Sequence, residues 1–425
     1  MFLKLGAHLL SRKTLSNILL MILIALSLFI ANICIGIVNR QYSVIDSVKN
    51  FDKKNTYYYM SNIIENTDIN INTENFDGGG NKKNIKDIVS EAENDKNLDV
   101  GYIYYGSVTA YQKQLTSYSK HITYIGTDNK TSEKFNVGQL ISGEWYTEAK
   151  HTDGCLNVVV VEGKYKVGDK FYLSINTNEV DSDGFMIFKD IKCIVTGLLK
   201  KGSYMCIPNA MANNADAGDI MLPVYPDVKN GELSVLYFSY EDEEVKPYLD
   251  YLELSNNCFI YCDDNADKND IYNVVEKLDE NGWTLKMQKI IDNTYDYMYS
   301  QIIRLVPFLF GVLLLTVVCL ICIMTLNSAD HLKTYSVYYL CGMNWSDMKK
   351  ILLSYSVLMI LGAGIIFAFI SLLCIIGGRI TDIVVFGFNN LFITLGIAAL
   401  IIAVMVFVPY IILAKSSPKD ALREN

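Results

Sequence analysis

Four long stretches of this chain carry no charge at all, and between the first and second of them lies a broad polar middle. Leu15 to Val38, Leu305 to Leu326, Ile351 to Ile376 and Leu391 to Ala414 contain no Asp, Glu, Lys, Arg or His. A helix needs about 20 apolar residues to cross the hydrocarbon layer, and each stretch is that long. The pattern therefore predicts four transmembrane helices, over 15–38, 305–326, 351–376 and 391–414. The first is too long for the apolar core of a cleaved signal peptide, about 7–15 residues. Ala31-Asn32-Ile33-Cys34 also lacks the small residues that precede a lipoprotein cysteine, so the first helix is expected to remain.

The polar middle changes period. Short alternating or β-branched runs between turn residues predict strands at Val100–Tyr111, Ile122–Gly126, Val158–Val161, Phe171–Ile175, Ile187–Leu199 and Leu233–Tyr240. Helices are expected over Asn84–Asn94 and Asp267–Asn281, the latter ending on Gly282 as a C-cap. The fold class is thus a membrane protein with four transmembrane α-helices and a large mixed α+β domain between helices 1 and 2. A turn at Lys200-Lys201-Gly202 suggests two subdomains, and Asn70 to Lys83, with three consecutive glycines, reads as a loop.

Composition sharpens this picture. The chain is 51% apolar and 20% charged, a balance that excludes a disordered or nucleic-acid-binding protein. From Gln41 to Ile303 there are 25 Lys and no Arg against 41 acidic residues; the remainder has 12 basic and 5 acidic residues. Lys4, Arg12 and Lys13, then Lys333, Lys349 and Lys350, then Lys415, Lys419 and Arg423 fall on one side if both termini are cytoplasmic. The acidic domain is then extracytoplasmic and the protein is multi-pass in the cell membrane. Arg40, Arg304 and Arg379 are expected to snorkel. Spans without charge mark no ion or proton path, while Asn17 and Asn32 are placed either to bridge helices or to mark a boundary.

Candidate chemistry is sparse. Tyr57-Tyr58-Tyr59 and Tyr102-Ile103-Tyr104-Tyr105 offer an aromatic wall, although strands also favour Tyr for packing. Cys155, Cys193, Cys206, Cys258 and Cys262 are odd in number, and the expectation is buried thiols. His121 and His151 lack the spaced second His of a zinc face. Glu179, Asp181, Asp183, Gly184 and Asp190 partly mimic a calcium loop but sit between two strands, where a solvated hairpin tip is expected. No metal site, catalytic elbow or phosphate loop is read. The chain is expected to be non-catalytic and without a cofactor of its own.

Apolar residues continue past the first span at Tyr42 and Ile45, and Ile291, Tyr295, Met298 and Ile302 lead into the second with heptad-like spacing. They predict paired stalk helices, the alternative being an amphipathic linker on the membrane. Residues 1–14 form an expected interfacial helix. Between the second and third spans, 327–350, a short helix from Ser328 to Leu340 is expected to end at Gly342, followed by a helix capped by Asn344 or Ser346. It reads either as a docking knob for a cytoplasmic partner or as a plain connector. Residues 377–390 make an outer loop and 415–425 a cytoplasmic tail.

With these features the chain resembles the FtsX-like or MacB-like permeases of ATP-binding-cassette systems. The resemblance rests on the topology, on Lys333 to Asn344, on the tail from Pro409 to Ser417-Pro418-Lys419-Asp420-Ala421-Leu422-Arg423, and on outer-domain segments. These segments are Ile125-Gly126-Thr127-Asp128, Gly138-Gln139-Leu140 with Gly143, Val158 to Val161 with Lys166-Val167-Gly168-Asp169, and Cys193 to Gly197. Thr334 stands where many members carry Glu, with Asp330 nearby as the acidic residue. The resemblance implies a permease that pairs with a second permease subunit, as a homo- or heterodimer, and with a separate ABC ATPase that binds ATP and Mg. It implies docking of that ATPase at Asp330, Lys333, Thr334, Tyr338, Tyr339, Gly342 and Met343, and mechanotransmission through Tyr42, Ile45, Ile291, Tyr295, Met298 and Ile302. Export or expulsion of a peptide or lipophilic compound is the leading function. The alternatives are a switch acting on an extracellular cell-wall hydrolase and a membrane-anchored receptor without ATPase. An extracellular adaptor or a cationic antimicrobial peptide is a possible outer partner.

Overall fold

The computed structural model describes residues 2–12, 14–61, 85–93, 97–111, 120–135, 140–161, 165–199, 205, 207–210, 220–222, 235–264, 266–376, 384 and 387–415. In chain order the elements are α1 (Phe2–Arg12), α2 (Thr14–Asp46), β1 (Thr56–Ser61), α3 (Ile85–Glu93), β2 (Leu98–Tyr111), β3 (Lys120–Thr127), α4 (Asn129–Lys134), β4 (Leu140–Gly143), β5 (Leu156–Val161) and β6 (Lys170–Val180). There follow β7 (Met186–Leu199), β8 (Asn209–Ala210), β9 (Ile220–Met221), β10 (Val235–Ser239), β11 (Leu254–Cys262), α5 (Lys268–Asp279), β12 (Gly282–Lys286), α6 (Met287–Leu340), α7 (Trp345–Ile376) and α8 (Phe388–Lys415). They form two compact units, Met1–Arg40 with Met298–Asn425, and Gln41–Tyr297. The expected Asn70–Lys83 loop, the Lys200–Gly202 turn, Cys206, Arg379 and the tail beyond Lys415 lie outside the described residues.

In the helical unit, α2, α6, α7 and α8 each hold a stretch long and apolar enough to cross a membrane. Leu20, Ile24, Leu28, Met324, Ile351 and Met359 are among the side chains of its core. The outward faces are equally apolar, with Leu361, Ile365, Phe369 and Phe392 more than half exposed. Faces of that size suit lipid rather than water. Close approaches depend on small residues: a Cβ on Gly6 would meet the Tyr355 backbone nitrogen at 3.0 Å, and one on Gly362 would meet the Met21 sulfur at 2.7 Å. Gly6 thus seats the amphipathic α1 against α7, with Leu9 in the core.

One expectation about this unit is corrected. Ser328 to Leu340 is not a separate short helix, because α6 runs unbroken for 54 residues from Met287 to Leu340. No Gly or Pro falls between Gly311 and Gly342. Ser328 does not cap a new helix; its hydroxyl donates back to the Met324 carbonyl at 2.6 Å. Arg40 is corrected as well. It is 3% exposed, buried rather than snorkelling.

The α+β unit is organised by one long strand. β2 pairs along one edge with β3, while its other edge pairs first with β11, from Leu98 to Tyr104, and then with β6, from Thr109 to Tyr111. β6 in turn pairs with β7, β7 with β5, β5 with β10 and β10 with β3. Six strands thereby close into a ring, β2-β3-β10-β5-β7-β6. β2 also extends into an open wing, β12-β1-β11-β2. Phe171, Leu173, Ile175, Ile191, Cys193 and Val195 alternate into the shared core, as period-2 side chains must.

The wing is covered by helices. Ile85 and Val89 of α3 and Leu278 of α5 pack with Tyr59, Cys258 and Ile260, while Tyr58, Phe259 and Tyr261 alternate to the opposite face. There Phe259 meets Tyr58 and Phe51 with ring centroids 5.1 Å apart. The Tyr57–Tyr59 wall is therefore a strand with two fully buried tyrosines. The expected pair of subdomains is replaced by one unit with a continuous sheet, because β2 is long enough to serve both ring and wing. Gly282 is not a C-cap; it opens β12 opposite Ser61, where the Met60 carbonyl leaves no room for a Cβ. Cys258 and Cys262 both lie on β11, four residues apart and so roughly 13 Å distant at strand spacing.

Candidate functional site

The residues expected to dock a partner lie where α6 ends. The Gly342 N–H donates to the Tyr339 carbonyl at 3.0 Å and the Met343 N–H to the Tyr338 carbonyl at 3.1 Å, with Gly342 at φ +94°. Those two bonds with a left-handed glycine make a Schellman turn. Asn344 then accepts the N–H groups of Asp347 and Met348 at the start of α7. Of the expected docking residues, Tyr338 and Met343 pack against the helical core, whereas Tyr339 is 40% exposed and Gly342 is exposed. Thr334 is half-buried. Asp330 and Lys333 lie on the α6 backbone, their side chains outside the described residues. Val337 and Leu340 add exposed apolar surface beside Tyr339.

Cations gather at the same end. Lys349 sits 4.2 Å from the Tyr410 ring centroid, and Lys350 sits 5.2 Å from that of Phe2 and 3.0 Å from Asp347. Beneath them the Asn17 side chain accepts from Tyr355 at 2.7 Å and donates to the Leu10 carbonyl at 2.7 Å. Asn17 thus joins α1, α2 and α7.

Near the opposite end of the helical unit, Asn390 anchors a second polar knot. Its Nδ2 donates to the Asn32 carbonyl at 3.1 Å, and its Oδ1 accepts from Asn39 at 2.7 Å and from the Gly387 N–H at 3.0 Å. Asn32 donates to Thr394 at 2.8 Å. Farther along α2, Ser27 and Thr316 share a hydrogen bond of 2.5 Å. Asn17 and Asn32 are therefore bridging residues. The sequence does not single out Asn39, Asn390, Thr394 and Thr316 as partners, because a lone amide or hydroxyl in an apolar run does not name its partner.

In the α+β unit, Tyr42, Ile45, Ile291 and Tyr295 line one open groove together with Asp46 and Lys49. The structure thus brings together four of the six expected transmission residues. Met298 is fully buried and Ile302 half-buried, and neither lines the groove. Beyond the groove, β12 passes into α6 without an intervening residue, and β12 pairs antiparallel with β1, the first strand after α2. The β1–β12 pair is a clasp between the chain leaving one long helix and the chain entering the other. The hydroxyl of Thr294 on α6 accepts from the Leu222 N–H at 3.0 Å, and the Asn293 amide donates to the Ile220 carbonyl at 3.0 Å. They tie α6 to the β9 segment.

Buried titratable groups in this unit serve packing. Asp128 caps α4, its carboxylate accepting from the Thr131 N–H at 3.0 Å, and burial pushes its pKa up to about 6 against the opposing effect of the Thr131 hydrogen bonds. Tyr261 donates to the Thr131 hydroxyl at 2.8 Å. Burial raises the Cys193 thiol well above its ordinary value, the reverse of what a thiolate nucleophile requires. Among the described residues no group of His, Cys, Asp or Glu is arranged to hold a metal ion.

No family model matches the chain, and none of the curated proteins matches it. Among solved structures it is similar to the periplasmic region of MacB from Actinobacillus actinomycetemcomitans, with 11% identity over 58% of this chain and 95% of that one and a TM-score of 0.30. It is also similar to the extracellular domain of the noncanonic ABC-type transporter YknZ from Gram-positive bacteria. There the identity is 13%, over 53% of this chain and 89% of that one, with a TM-score of 0.25.

Proposed function

We propose that this chain is the permease subunit of an ATP-binding-cassette system that works by mechanotransmission. A separate ATPase binds ATP and Mg and docks at the Gly342 end of α6, and its closure is coupled to export or expulsion of a peptide or lipophilic compound. Both termini and the Gly342 turn lie on the cytoplasmic side, the α+β unit lies outside, and two permease subunits act together. The observation that carries this reading is the continuity of α6. One helix runs from an exposed turn bearing Val337, Tyr339 and Leu340 to a strand clasped to the strand that follows α2. α6 contains Pro307, which removes one helical N–H, yet the helix continues on both sides of it, and continuous secondary elements are one route by which coupling is carried between distant sites. Uncharged spans support a lever rather than an ion path.

The test is purification of the full chain from its native membranes in mild detergent, with identification of the stoichiometric partner and assay of ATP hydrolysis. An ATP-binding-cassette protein that co-purifies with the wild type and is lost with Tyr339→Asp is the expected result. Absence of any ATPase and of hydrolysis in several detergents overturns the proposal in favour of a receptor without an engine.

A further inference from the structure

The ring of strands carries a projection that its own core does not explain. Along β6 from Phe171 to Thr177, buried positions alternate with half-exposed ones, but from Glu179 to Met186 every residue is exposed. This stretch is the solvated end of the β6–β7 hairpin, and beside its polar turn at 181–184 it exposes large apolar side chains. Val180 is 63% exposed, Phe185 70%, Met186 61% and Phe188 54%. Val180 pairs with Met186 and Asn176 with Phe188, so Val180, Met186 and Phe188 share one face. On that face farther down, Tyr172 stacks on Tyr111, and the Tyr111 hydroxyl donates to Asp190.

A two-stranded extension has no core of its own, so apolar side chains there do little for the fold. The turn is nevertheless held in one shape. The Asp181 carboxylate accepts the N–H groups of Asp183 and Phe185, each at 2.9 Å, the Asp181 N–H donates to the Phe185 carbonyl at 2.8 Å, and Gly184 takes φ +84°. A preset apolar tip lowers the entropy lost on binding.

Charge selects the occupant. Between Asn176 and Asp190 there are four carboxylates, Glu179, Asp181, Asp183 and Asp190, against Lys189 alone. An acidic apolar tip is repelled by an anionic lipid surface and by an identical tip on a second copy. We infer that the β6–β7 hairpin is a docking finger for a basic amphipathic polypeptide segment. Val180, Phe185, Met186 and Phe188 meet its apolar side and the carboxylates meet its Lys and Arg side chains. This goes beyond the permease reading and requires no ATPase partner.

The experiment uses the full chain in phosphatidylcholine nanodiscs and a fluorescent helical peptide of segregated Leu and Lys, with empty nanodiscs as background. Fluorescence anisotropy should show specific binding that weakens with salt. The triple variant F185S/M186S/F188S, at exposed positions, should lose roughly tenfold or more in affinity, about 1.4 kcal/mol by the affinity relation. E179Q/D183N should bind more weakly, with a flattened salt dependence. Affinity that survives both variants overturns the proposal, as does equal binding of a peptide with Glu in place of Lys. Finger-dependent binding to phosphatidylglycerol vesicles, or finger-dependent self-association, without peptide binding would also overturn it and assign the apolar tip to lipid or to a second copy.

Discussion

Tyr57 and Lys286 stand opposite each other across the β1–β12 pair, with the Lys286 ammonium 5.4 Å from the Tyr57 ring centroid. Lys286 is the last residue of β12, and Met287 is the first of α6. The contact sits at the junction between sheet and helix. A cation over an aromatic ring at a surface contributes about 0.5–1 kcal/mol, too little to hold the junction alone. The ladder of Tyr57 to Ser61 with Lys286 to Gly282 does most of that.

Insertion of two glycines between Lys286 and Met287 should uncouple β12 from α6 within the α+β unit, at some cost in stability because Met287, Ile290 and Ile291 are buried. Under the proposed permease reading, the expected outcome is a folded protein that still binds the proposed ATPase, in which nucleotide no longer alters amide deuterium uptake in β1 and β12. Persistence of the nucleotide-dependent change in the insertion variant would disprove transmission through this clasp.

At the Gly342 turn, neighbouring residues should respond differently. Under the proposed reading, Tyr339→Asp, at an exposed position, should weaken binding of the proposed ATPase with little change in thermal stability. Tyr338→Asp should lower stability itself, since Tyr338 packs on the helical core. Gly342→Ala forces a Cβ into φ +94° and should cost roughly 1 kcal/mol. Melting curves and pull-down together separate these effects. Equal loss of binding without destabilisation at Tyr338 would refute the assignment of the two faces.

Asn390→Leu deletes donors and acceptors shared with Asn32, Asn39 and Gly387. A loss of about 1–2 kcal/mol is expected from stranded amide groups. The single alanine variants at Asn32 and Asn390 should be non-additive with the double variant, as contacting residues are. Strict additivity in detergent unfolding would mean that the bonds contribute nothing jointly.

Asp128 sets a pH dependence. Its folded pKa of about 6 lies above the ordinary carboxylate value, so between roughly pH 4 and 6 the folded state holds a proton that the unfolded state releases. Stability from this group is therefore present at low pH and lost as pH rises through about 6. Asp128→Asn keeps the cap and should flatten that component. It should also stabilise the α+β unit at neutral pH, by an amount on the order of 2 kcal/mol. Unfolding midpoints of wild type and variant that run parallel from pH 5 to 7.5 would rule this out.

The spans were plain in the sequence because absence of charge over more than 20 residues has one physical outlet. The strands around Val158, Phe171 and Ile191 were legible because one buried face imposes alternation. Leu254 to Cys262 was not, since its first half, Leu-Ser-Asn-Asn, is polar and only half-buried. Gly342 was readable as a stop, whereas Gly282 was misleading. A glycine near a helix end looks the same whether it permits a left-handed turn or a close strand pairing.

The sequence alone determined which segments are helical and apolar, where α6 must stop, and that the middle of the chain folds as strands with acidic surface. Each follows from local periodicity or composition, which short-range sterics and solvation enforce. Tertiary structure decided the rest: that β2 serves a closed ring and an open wing, that β1 clasps β12, that Asn390 meets Asn32 and Asn39, and that the apolar end of β6–β7 stands outside the core. These are pairings between residues up to hundreds of positions apart. No local preference specifies them, because the free energy that selects each partner exists only once both surfaces are built.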